Sequence, residues 1–133
     1  MIIKFPDSIS ALVYSMKHPY LWTLMVWTIA IIGYILMASK PFIPLSFISC
    51  ACISFVGCMP LIKGEHNTAH WILGILGCVF SQIWCICVAG ILPMLMWWYL
   101  YCILMTILIC IEKANTWCFW LELWCIIGVL IVL

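Results

Sequence analysis

The chain has 133 residues, 69 % of them hydrophobic and only 7 % charged, with a formal net charge of +1. Water-soluble domains are close to half apolar and a quarter charged, so this composition leaves too little polar surface to cover a globule in water. The near-neutral charge and the lack of arginine argue against a nucleic-acid partner, which would need cations matched to phosphate.

What remains is an integral membrane protein, a single domain over residues 1–133, with the lipid bilayer as its solvent. The N-terminus does not read as a secretory signal, because Lys4 is followed by Pro6 and Asp7 rather than by an apolar core. The first membrane span is therefore expected to direct insertion. In residues 8–17, Ile9, Leu12, Val13 and Met16 fall at i, i+3, i+4 and i+7, with serines and Lys17 on the other side. That pattern predicts a short amphipathic helix, lying either in the membrane interface or against the bundle.

Five apolar runs then follow, at residues 20–38, 42–62, 71–92, 94–111 and 117–133. Each approaches the roughly 20 residues a helix needs to cross the hydrocarbon core. None alternates with a period of two, so an all-α bundle of five transmembrane helices is expected rather than a barrel. Lys40-Pro41 divides the first two runs, and Lys63-Gly64-Glu65-His66-Asn67 divides the next pair. Gly90-Ile91-Leu92-Pro93 has no charge but reads as a turn, because Gly ends helices and Pro opens them. Without it, residues 71–111 would form one helix of about 60 Å, twice the hydrocarbon thickness. Glu112-Lys113-Ala114-Asn115 forms the last connection.

With the N-terminus cytoplasmic, Lys4, Lys17, Lys63 and Lys113 lie inside and only Lys40 outside. The positive-inside rule thus predicts a multi-pass protein with its N-terminus in the cytoplasm and its C-terminus outside. Trp22, Trp71, Trp97, Trp98 and Trp117 fall near span ends, where an indole anchors at the headgroup level. The ten cysteines all lie in apolar segments, without a Cys-x-x-Cys, and read as small soft packing residues; a metal or redox role is the alternative.

Chemistry-bearing residues are few. Glu122 sits inside the fifth run, where a charge costs about 2.5–3.5 kcal/mol to insert, so it needs a partner or a role. On the third run His66, His70, Gly74, Gly77, Ser81 and Cys85 share about a third of the helical wheel, with Gln82 at the edge. Asn115, Cys118, Glu122 and Cys125 make a matching face on the fifth run. These faces are expected to pack together, placing Glu122 near His70, Ser81 or Gln82. His66-x-x-x-His70 is a two-ligand zinc spacing, to which Glu65 and His18 could add a third and fourth ligand from the same membrane side.

His66, His70 and Ser81 are loosely similar to the site of seven-helix intramembrane hydrolases of the alkaline ceramidase type. That resemblance implies a metal-dependent attack on lipid. This chain departs from it in having five runs and no second ligand-bearing helix.

Three functional readings follow. The leading one is a packing, interaction or transport-related membrane module without catalysis, associated with a second copy or another membrane protein and requiring no cofactor. The second is a zinc-dependent intramembrane enzyme acting on lipid through His66, His70 and Glu122. The third is a proton-coupled small transporter using Glu122 and Gln82.

Overall fold

The computed structural model describes Ile9 and residues 17–58, 67–112 and 117–133, with only the backbone at 67 and 109–112. These residues form five helices: α1 Pro19–Ala38, α2 Ile43–Cys58, α3 Asn67–Ala89, α4 Ile91–Glu112 and α5 Trp117–Val132. No strand occurs among them. The expected interfacial helix at 8–17 lies outside the described residues, apart from Ile9 and Lys17.

α1, α3 (from Thr68) and α4 (to Leu108) are long and apolar enough to cross a membrane. α2 and α5 have 16 helical residues each. At 1.5 Å per residue that is about 24 Å, short of a 30 Å hydrocarbon core. Five spans of full length are therefore more than the described helices provide. Residues 59–62, the end of the expected second span, lie outside the described part.

α1 opens on Pro19, whose missing N–H needs no partner in a first turn, after an extended His18 that makes no side-chain cap. It closes where the backbone N–H groups of Ser39 and Lys40 reach Leu36 O and Met37 O. Phe42, at φ 69°, then turns the chain and accepts the first backbone bonds of α2. The α3–α4 connection is tighter than the expected four-residue turn. Gly90 alone makes it, at φ 93°, a region that lacks a penalty only for glycine. Its N–H closes α3 onto Ile86 O at 2.9 Å. Pro93 falls inside the first turn of α4 instead of before it, because first-turn N–H groups have no helical partner to lose.

α3 lies at the centre. It packs most extensively on α2, which in turn packs on α1, and its other side meets α5; α4 touches α3 and α5 more lightly. Small residues set the close contacts, as expected where packing rather than hydrophobicity joins helices. A Cβ added at Gly57 of α2 would meet Val26 of α1 at 2.7 and 2.9 Å. One at Gly77 of α3 would meet Ile53 of α2 at 3.1 Å. Hydroxyls lock the same interfaces: Thr23 Oγ1 donates to Gly57 O at 2.8 Å, and Ser49 Oγ to Gly77 O at 2.9 Å. The main core gathers Ala30, Met37, Cys50, Trp84, Cys85 and Met94.

Among the described residues the exterior is largely apolar, with Ile29, Ile35, Phe55, Ile75, Leu95, Leu100 and Leu130 exposed. Exposed hydroxyls turn back onto their own helix: Thr28 Oγ1 bonds Leu24 O and Thr106 Oγ1 bonds Cys102 O, both at 2.8 Å. In hydrocarbon no other acceptor is on offer.

Candidate functional site

Several polar residues of α3 and α5 meet at the seam between these two helices. From α5 come Cys118, Glu122 and Cys125, at i, i+4 and i+7, so they share one face. From α3 come Cys78, Ser81, Gln82 and Cys85, again within two turns of one face. The seam is a direct consequence of helical spacing in both segments.

Gln82 makes the cross-helix link. It is 8 % exposed, and its Nε2 donates to the backbone oxygen of Cys125 at 3.2 Å and approaches Ser81 Oγ at 3.5 Å. Its Oε1 has no donor among the described residues. The Cys78 and Cys125 thiols pair beside it. Ser81, also buried, turns its hydroxyl onto Cys78 O of its own helix at 2.7 Å.

Glu122 is half-buried in the same seam. Its Oε2 accepts the backbone N–H of Ile9 at 2.7 Å, across 113 residues of sequence. Its Oε1 accepts a longer, weaker bond from Cys118 Sγ at 3.8 Å. The Ser81 hydroxyl and the Gln82 amide are directed to Cys78 and Cys125. The Ile9 side chain meanwhile packs against the Trp22 and Val26 cluster of α1. One residue near the N-terminus thus joins the first and fifth helices.

His70 and Ser81 do not form a nucleophile–base pair. His70 and Ser81 are eleven residues apart on one continuous helix, about 16 Å along its axis. A nucleophile and its base must lie within hydrogen-bond reach. For metal, His66 and Glu65 lie outside the described residues, while His18 is exposed and faces the ring of Tyr20 at 5.4 Å. Among the described residues no group of three or more His, Cys, Asp or Glu side chains is placed to hold an ion.

Two features escape sequence reasoning. The Ile9–Glu122 bond uses a main-chain donor, which no residue type announces. The second is an aromatic stack between α4 and α5, with Trp97 and Trp124 at 4.0 Å and 19° and Tyr101 at 5.7 Å from Trp124. The Trp97 ring lies against Gly128, where a Cβ would come within 2.9 Å of its Nε1. Helical spacing could have flagged Trp97 and Tyr101 on one face, but not the glycine notch opposite.

No known protein family, curated protein or solved structure matches this chain.

Proposed function

We propose that this chain is a five-helix integral membrane protein, N-terminus in the cytoplasm and C-terminus outside, that works as an interaction module associated with a second copy or another membrane protein. The 16-residue helices α2 and α5 then cross by local thinning of the bilayer, which costs only fractions of a kcal/mol per ångström. Glu122 is a structural anchor in this reading. The observation that supports it is the 2.7 Å bond from Ile9 N–H, which gives the carboxylate an acceptor's task between the N-terminal segment and α5. A carboxyl group so engaged fixes the packing of α5 without needing to exchange protons.

The test compares two substitutions. Glu122→Gln keeps an oxygen for the Ile9 N–H and is expected to unfold in detergent within a few degrees of the native protein. Glu122→Leu removes the acceptor and is expected to lose about 1–3 kcal/mol, the cost of a buried unpaired donor.

The proton-coupled reading draws on one observation of its own, the unpartnered Oε1 of Gln82 in the same seam as Glu122. It predicts pH-driven flux into liposomes that Glu122→Gln abolishes; that result would replace the anchoring role. The zinc reading is checked separately, by metal analysis of purified protein. About one equivalent of zinc, lost in His70→Ala, would favour the enzyme.

A further inference from the structure

One end of the bundle carries a cleft of about 400 Å³ that the α3–α5 seam does not use. Lys40, in the α1–α2 connection, stands at it, together with Ala89 at the end of α3, Met94 and Trp97 in the first two turns of α4, and Gly128 and Val132 near the end of α5. Its size falls in the lower part of the range of small-molecule sites, about 300–1,000 Å³. Its walls are apolar, and Lys40 is its only charged residue.

Three observations specify an occupant. Lys40 is half-buried and has no ion-pair partner among the described residues. The only carboxylate side chain among the described residues, Glu122, lies ten positions before Val132 in α5, about 15 Å along the axis. No carboxylate side chain among the described residues therefore stands at the cleft. The surroundings of the cleft are lipid-facing: Ile91, Leu92 and Ile131, which flank it, are each at least 65 % exposed. An occupant entering from that side must be apolar along its length and anionic at its head.

We propose that this cleft binds one anionic phospholipid, its phosphate at the Lys40 ammonium and an acyl chain along Met94, Trp97 and Val132. Cationic pockets between membrane helices are suited to such headgroups. Gly128 is part of the design, because it leaves the notch in which Trp97 lies back and forms the wall. The proposal rests on the bilayer placement above, though not on the role assigned to Glu122.

The test is native mass spectrometry of the full chain in dodecyl maltoside, with equal amounts of phosphatidylglycerol and phosphatidylcholine added. The native protein is expected to retain one phosphatidylglycerol in preference to phosphatidylcholine. Lys40→Gln is expected to lower that retention about fivefold, the effect of one interfacial cation. Ala89→Trp, a substitution at an exposed position that fills the cleft, is expected to lower it as well. Lys17→Gln, which removes an exposed lysine away from the cleft, is expected to leave it unchanged, and excess glycerol 3-phosphate is expected not to displace the lipid. Equal retention of the two lipids, an undiminished preference in Lys40→Gln, a fall in Lys17→Gln as large as that in Lys40→Gln, or displacement by glycerol 3-phosphate would each overturn the site. A chain monodisperse in plain buffer would overturn the membrane placement and the site together, whereas loss of preference in a chain that still needs detergent would overturn the site alone.

Discussion

Glu122 and Gln82 show how lipid changes the value of a single polar group. In water either could be solvated at little cost; in a helix seam each must find a protein partner. Gln82 reaches the Cys125 carbonyl, and Glu122 reaches a main-chain N–H from the far end of the sequence. Their expected contributions differ. Interhelical hydrogen bonds in membranes average about 0.6 kcal/mol, since the dissociated helices also find partners. Gln82→Leu also removes the unpartnered Oε1, so it is expected to shift stability by less than about 1 kcal/mol in a denaturing-detergent titration. Gly57 is more sensitive. A methyl there would strike Val26 Cγ1 and Cβ, the second of which cannot swing away. Gly57→Ala is expected to separate α1 from α2 and lose about 1–3 kcal/mol by the same titration.

At the scale of the elements, helix length and helix junctions matter most. α3 and α4, at 23 and 22 residues, are amply long for the hydrocarbon core and are joined by one residue. Gly90 permits this because its φ of 93° is open to glycine and strained for other residues. Gly90→Ala is expected to cost about 1–2 kcal/mol, the penalty for a left-handed L-residue, although a Cβ there would meet nothing closer than Pro93 Cδ at 4.0 Å. A loss of that size without any steric clash would assign it to backbone conformation. The shorter α2 and α5 pack on the central α3, while the long α1 and α4 flank the group.

For the whole molecule, the charges and the packing point to the same arrangement. Ile9, Trp22 and Glu122 meet near one end, and Lys40, Ala89, Met94 and Val132 meet at the other. Consecutive helices running up and down place the α1–α2 and α3–α4 turns together, as that pattern requires. With the N-terminus in the cytoplasm, an amine reagent that cannot cross membranes is expected to label Lys40 in intact cells and Lys17 only after lysis. The reverse pattern would invert the topology and leave the fold untouched. The outward face of α4, with Leu95, Tyr99, Ile103 and Ile107 exposed, is apolar.

The solvent and the secondary structure were legible without coordinates. A 69 % hydrophobic chain whose charges, Glu122 apart, fall between apolar runs without a period of two satisfies its backbone in lipid as helices. Lys40-Pro41 marked both the end of α1 at Ala38 and the start of α2 at Ile43. The convergence of the Gln82 and Glu122 faces was also legible, because helical spacing puts their neighbours on single stripes. The partners were not. An amide choosing the Cys125 carbonyl, a carboxylate choosing the Ile9 N–H and a tryptophan lying in the Gly128 notch depend on the distance between helices. That distance is set by the small residues at every crossing acting together, and only the tertiary structure decides it.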